Sequence, residues 1–189
     1  MKAFRWLLVS VVLFSCTYEN THVLIKTKYG DIVVELYPEK APLTCENFIR
    51  YIEEGRFEGA TFYRTVTKYN QIDTANKIEV IQGGLFEDHH PQMLPPIPHE
   101  STKQTGILHK NGTISMARYE PGTATSEFFI CIGDQPALDY GGKRNPDGQG
   151  FAAFGRVIQG MGVVRFIQQQ PAKGQYLEPP VRILQMSIL

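Results

Sequence analysis

Phe62-Tyr63-Arg64-Thr65-Val66 is a short apolar run interrupted by one guanidinium, and its reading decides the rest of the chain. Two later runs answer it, Ile81-Gln82-Gly83-Gly84 and Ser126-Glu127-Phe128-Phe129-Ile130. Together they place a cation, an amide and two adjacent aromatics on separate short strands. None of these residues is a usual nucleophile, and no ordered acid/base pair or metal cluster accompanies them. Such a site holds an apolar group and offers hydrogen bonds to an amide beside it. That chemistry suits turning a bond more than breaking one.

Outward from these runs, short strands separated by turn signals dominate. His22 to Thr27 and Asp31 to Leu36 flank Lys28-Tyr29-Gly30, a hairpin pattern. Cys45, Phe48, Ile49 and Ile52 recur at helical spacing, with Pro42 suited to the first turn and Gly55 to the stop. Further strands are expected at Ala60 to Val66, Glu79 to Gln82, Gly112 to Arg118, Phe128 to Ile132 and Ala152 to Val157. A second helix is expected near Met161 to Gln169 and a last strand near Arg182 to Ile188. Three long irregular stretches remain: Thr67 to Lys77, Leu85 to Gln104 and Tyr140 to Gly150. Loops of that length in a compact domain are often functional or disordered.

The 189 residues are 42% hydrophobic, enough for one domain with a sizeable core. Nineteen basic residues balance nineteen acidic ones, so nothing points to nucleic acid or another polyanion. The first residues read differently. Lys2 and Arg5 precede the apolar run Trp6 to Phe14, which is too short to span a hydrocarbon core needing about 20 residues. Leu13-Phe14-Ser15-Cys16 resembles the lipobox of bacterial lipoproteins, which implies removal of residues 1–15, lipidation of Cys16 and a short tether at 16–21. An ordinary secretory leader with an incidental cysteine is the other reading. Cys45 and Cys131 read first as small buried hydrophobes, with a disulfide left open.

The three opening runs, with Gly112-Thr113-Ile114-Ser115-Met116-Ala117 and Phe154-Gly155-Arg156-Val157, resemble the cyclophilin-type peptidyl-prolyl isomerases in that family's order. The resemblance runs from about His22 to the C-terminus. It implies an all-β fold, a closed antiparallel barrel of about eight strands capped by two α-helices, which leaves no exposed sheet edge. It also implies prolyl isomerase activity, with no cofactor. Arg64 and Gln82 would be the catalytic pair. Phe129, Leu138 and Val80 would line the proline pocket, with Phe128, Glu127, Arg118 and Phe151 completing the substrate site.

Several positions depart from the family pattern. Glu79 stands where a pocket phenylalanine is usual, so either the 67–77 insertion shifts the register, with Tyr69 supplying the ring, or the pocket is altered. Phe151 replaces a histidine, Ala137 a tryptophan, Arg118-Tyr119 an Asn-Ala pair and Glu127 a glutamine. A carboxylate at 127 would orient Arg64 or pair with it, with Arg118 as a competing partner. His89 and His90 are adjacent and would point oppositely in a strand, and no metal-binding framework is present, so no metal is expected.

The reading that follows is an exported isomerase, lipid-anchored to a bacterial cell envelope through Cys16. It would act on proline-containing segments of unfolded or exported proteins. A catalytically weak cyclophilin-like peptide-binding or scaffold module is the alternative, with Glu79 and Glu127 as its grounds.

Overall fold

Alternation builds the barrel. In β1 (His22–Thr27), Val23, Ile25 and Thr27 are buried and the residues between them are not. In β2 (Gly30–Leu36), Ile32, Val34 and Leu36 repeat the pattern. Thr27 pairs with Gly30 across the two-residue turn Lys28-Tyr29, and the Tyr29 amide donates to Thr27 Oγ1 at 3.1 Å. The structure is a computed structural model that describes residues 21–72, 75–86 and 89–189. The expected leader and the expected lipidation site at Cys16 lie outside the described residues.

The other strands are β3 (Thr61–Val66), β4 (Val80–Gly84), β5 (Thr113–Met116), β6 (Phe128–Cys131), β7 (Ala152–Gln159), β8 (Ala172–Lys173) and β9 (Tyr176–Ile188). They run in the order β1-β2-β7-β5-β6-β4-β3-β9, and β9 returns to β1. The closed antiparallel barrel of eight staves is therefore present, with β8 a two-residue addition on β9. Closure leaves no stave with a free edge. Among the described residues three α-helices accompany it where two were expected: α1 (Pro42–Glu53), α2 (Thr102–Thr105) and α3 (Met161–Gln168). The additional one, α2, is a single turn closed by a reciprocal Ser101–Gln104 cap.

The last strand also differs from expectation, since it begins at Tyr176 instead of near Arg182. Pro179-Pro180 argues against a strand. Here, however, the two prolines fall where the pairing with β3 jumps from Phe62–Val181 to Arg64–Tyr176. No ladder bond is required of them in that gap.

Inside the barrel, the Phe48 ring of α1 meets Phe57, Phe128 and Phe154 at 5.3, 5.4 and 5.1 Å between centroids. The helix buries Cys45, Phe48 and Tyr51, while Ile49 and Ile52 lie half-buried beside them. Ala41 provides no side-chain cap for α1. The buried Glu100 substitutes from a distant loop, accepting the Leu43 and Thr44 amides at 3.2 and 2.8 Å and the Thr44 hydroxyl at 2.7 Å. A carboxylate at a helix N-terminus satisfies orphan donors and complements the dipole. The irregular stretch before α2 thus fixes α1 as well as connecting strands.

Cys45 and Cys131 are free and buried, in separate apolar clusters. Burial pushes the Cys45 thiol up to about 12 and raises Cys131 well above its ordinary 9.0. Burial likewise raises the Tyr51 and Tyr63 phenols above their ordinary 10.0. Each group keeps a proton in the native state that the unfolded chain releases, so this stability is complete below the unfolded values and declines as pH rises past them. Chemical denaturation across alkaline pH is expected to show stability falling from about pH 9.0, where the unfolded thiols ionise. Cys45→Ala combined with Cys131→Ala should delay the onset toward pH 10.0, the phenol value. An onset that the double variant leaves in place would contradict this assignment.

Candidate active site

Strict alternation from the buried Phe62 would turn Arg64 into the barrel core. An extra residue prevents this. Phe62 pairs with Gly83 and Arg64 with Gln82, so two steps of β3 stand opposite one step of β4. Tyr63 is the bulged residue, and Tyr63 and Arg64 both line one cavity of about 780 Å³. Gly83 permits the close approach, because a Cβ there would lie 2.7 Å from the Thr61 carbonyl and 2.9 Å from the Phe62 ring. At Gly84, where φ is 147°, a Cβ would overlap the Glu127 carboxylate. The two glycines serve backbone geometry.

The guanidinium is held from two sides. Arg64 donates from Nη1 to Gln82 Oε1 at 2.7 Å, and from Nε and Nη2 to Gln175 Oε1 at 3.0 and 2.6 Å. Gln82 in turn donates from Nε2 to the Tyr63 hydroxyl at 2.6 Å, which donates to Glu127 Oε2 at 2.5 Å. Glu127 was expected to touch Arg64 or Arg118, and it touches neither. Its other oxygen accepts the Phe86 amide and the Ser126 hydroxyl, each at 3.0 Å. The carboxylate therefore reaches Arg64 only through a phenol and an amide, and among the described residues no carboxylate forms an ion pair with the arginine. Burial is the main cause that lowers the Arg64 pKa below its ordinary value.

Beside the guanidinium lies an apolar recess. Val80, Phe129 and Leu138 line it with Ile78 and Phe151, and the Phe151 ring meets Phe129 edge-on at 5.3 Å. Phe128 is a correction to the expected substrate set. Successive strand residues face opposite ways, so Phe129 enters the recess while Phe128 is fully buried against Phe48 and Phe62. Tyr69 is not the displaced ring either, being 95% exposed. Ile78 fills the position, and Glu79 on the opposite face lies 3.5 Å from Lys68. Arg118 lines the cavity, but its guanidinium is committed to Asp147 at 2.8 and 3.1 Å and lies over the Phe151 ring. It braces the recess wall.

Behind Phe129 stands a constellation that the sequence did not reveal. His109 bonds Asp139 Oδ1 through Nδ1 at 2.7 Å and Ser115 Oγ through Nε2 at 2.9 Å. These are the residue types of a hydrolytic triad. Ser115 is 0% exposed and His109 1%, with the His109 ring stacked on Phe129. No substrate carbonyl reaches that hydroxyl, so the trio supports the recess from behind. Among the described residues, no group of three or more His, Cys, Asp or Glu converges as metal ligands would.

The chain matches the family described as "Cyclophilin type peptidyl-prolyl cis-trans isomerase/CLD" over residues 22–188. It is 33% identical to a peptidyl-prolyl cis-trans isomerase of Acinetobacter baylyi, across 89% of this chain and 86% of that one. It is 34% identical to peptidyl-prolyl cis-trans isomerase B of Escherichia coli, across 75% and 80%. This chain belongs to the cyclophilin-type peptidyl-prolyl cis-trans isomerases. A Cryptosporidium parvum cyclophilin-type isomerase shares the fold at a TM-score of 0.70 and 22% identity, covering 90% of this chain and 98% of that one.

Within this cyclophilin, the cavity gathers Arg64, Gln82, Val80, Arg118, Glu127, Phe129, Leu138 and Phe151 and leaves out Phe128. It also contains residues that sequence reasoning missed. Gln175 occupies the β8–β9 turn, and its Nε2 donates to the Asn70 carbonyl at 3.0 Å. Asn70 returns bonds from Nδ2 to the carbonyls of Thr65 and Gly174 at 3.0 and 3.1 Å. The insertion after β3 and the hairpin before β9 are thereby locked together around Arg64. Lys173-Gly174-Gln175 carried a turn signal, with Gly174 at φ 63°. Nothing local indicated that its amide would meet an arginine more than a hundred residues upstream.

Proposed function

We propose that Arg64 is the catalytic donor and that the adjoining recess holds the proline ring, so that this cyclophilin isomerises X–Pro bonds by binding their twisted form. The observation that carries the reading is the juxtaposition of a guanidinium fixed by two amide oxygens with an apolar recess lined by Val80, Phe129 and Leu138. A peptide bond resists rotation by about 18–20 kcal/mol because the nitrogen lone pair is shared with the carbonyl. As the bond twists, that pair localises on nitrogen and accepts a hydrogen bond. A donor aimed there is felt more by the transition state than by either planar isomer. Stabilising the twisted form by about 4 kcal/mol speeds exchange roughly a thousandfold.

The frame suits that task. Gln82 and Gln175 orient the fork through neutral oxygens, which leave its charge available. The scaffold alternative rested on Glu79 and Glu127 spoiling the pocket. Glu79 faces Lys68, and Glu127 is held by Tyr63, Ser126 and the Phe86 amide. Neither placement obstructs the recess, which favours the enzyme. The leader and Cys16 point to an exported protein tethered to an envelope membrane, with client segments among other exported chains. Two or more acyl chains give stable anchoring where one does not.

Proline-peptide isomerisation tests the catalytic reading. Arg64→Ala should lower kcat/KM by about a hundredfold or more, as loss of one transition-state donor does elsewhere. Arg64→Lys should rescue little, since an ammonium lacks the planar fork. A wild-type rate for Arg64→Ala would remove the proposal. Gln175→Ala should act on kcat, roughly tenfold or more, with KM nearly unchanged, because misplacement of a catalytic group by about 1 Å costs up to that scale squared. Gln175→Glu, which restores the accepting oxygen only as a carboxylate that cancels the fork's charge, should keep the fold while leaving kcat low. A merely structural role would instead show both variants tracking melting temperature. For the anchor, Cys16→Ala expressed in a bacterial host should shift the protein from the membrane fraction to the soluble fraction, and retention in the membrane would refute lipidation there.

A further inference from the structure

Three arginines line the active-site cavity: Arg64, Arg118 and Arg144. They differ in what holds them. Arg118 is matched by the Asp147 carboxylate. Arg64 is bonded to the amide oxygens of Gln82 and Gln175, and Arg144 donates from Nη1 to Gln71 Oε1 and to the Asn76 carbonyl, each at 3.1 Å. Among the described residues, neither Arg64 nor Arg144 has a carboxylate within ion-pair distance. The cavity's own carboxylate, Glu127, is held by Tyr63, Ser126 and the Phe86 amide.

Arg144 is fixed at the rim of the apolar recess from both ends. Its backbone amide donates to the Ala137 carbonyl at 3.0 Å, next to the recess residue Leu138. Its side-chain partner Gln71 grips Ile78, a second recess residue, by donating to its carbonyl at 2.9 Å and accepting its amide at 3.1 Å. The irregular stretches 67–77 and 140–150 therefore meet beside the recess, and the residue that joins them is a cation. Holding two like charges in one partly enclosed cavity is unfavourable. Burial first, and then the Arg144 charge, lowers the Arg64 pKa. An anion lying between them relieves that repulsion and gains a charge-assisted bond.

We infer that Arg144 makes this isomerase selective for proline segments with an aspartate or glutamate directly flanking the proline. The inference rests on the reading that the recess holds the proline ring. With that ring seated, the neighbouring residue passes the rim where Arg144 stands, and its carboxylate pairs with the free donors of that guanidinium. A lysine at the same place meets a like charge.

The test is isomerisation by the full chain of peptides that carry Glu, Gln or Lys immediately before or immediately after one proline. At one of the two flanks, kcat/KM for Glu should exceed that for Lys by about tenfold at low salt, with Gln between, as a charge-assisted pair in a shielded site warrants. The ratio should shrink in about 1 M salt, where the screening length is about 3 Å. Arg144→Gln should bring the Glu-to-Lys ratio close to one, and Arg144→Lys should retain most of it, which guards against a variant that simply fails to fold. Ratios near one at both flanks in the unmodified protein, or an undiminished ratio in Arg144→Gln, would overturn the inference while leaving the isomerase reading intact. Absence of turnover with every peptide, Gln included, would overturn both.

Discussion

One extra residue in β3 governs everything at the site. Without the bulge at Tyr63, Arg64 would point into a core already filled by Phe48, Phe62 and Phe128, and a buried unpaired guanidinium is not tolerated there. With it, two consecutive side chains emerge into the same cavity, and the phenol and the guanidinium join one hydrogen-bonded frame. The bulge depends on Gly83, where even a methyl group would strike the backbone of β3. A change at the glycine and a change at the arginine are thus physically the same kind of lesion.

The frame around Arg64 shows how orientation and charge are separated. Carboxylates grip arginine most strongly, yet they also cancel the charge that a developing lone pair would meet. Here the acidic member, Glu127, stands two links away behind Tyr63 and Gln82. It polarises the phenol and fixes the amide's direction, since an amide that gives its N–H to Tyr63 must present its oxygen to Arg64. Burial, with the adjacent carboxylate, keeps the Tyr63 phenol protonated well above its usual pKa, so this direction holds over the range where the fold is stable.

The barrel was legible because its signals are local. Alternation in β1 and β2, the helical spacing of Cys45 and Phe48, and the five motif runs each lie within a dozen residues. What escaped depended on partners distant in the chain. Tyr176 to Val181 reads as a broken strand until β3's register jump accommodates Pro179-Pro180. Glu100 gave no sign that it caps a helix more than fifty residues earlier. Phe128 and Phe129 are indistinguishable as a pair, and only strand direction assigns one to the core and the other to the recess. The substitution at Glu79 looked damaging because its place, three residues before Gln82, is that of a pocket residue in the family pattern. The insertion, not the pocket, absorbed the difference, and Ile78 took the apolar role.

Ser115, His109 and Asp139 make the complementary point about function. Their distances would satisfy a search for a nucleophile, a base and an orienting acid. Chemistry also requires a place for the substrate, and the Phe129 ring stands between that hydroxyl and the cavity. His109, bonded on one side to Ser115 and on the other to Asp139, backs that ring, which makes the recess floor rigid. Rigidity matters more to an isomerase than to a hydrolase. With no covalent intermediate to retain the substrate, the proline must be kept still by packing alone while the bond beside it turns.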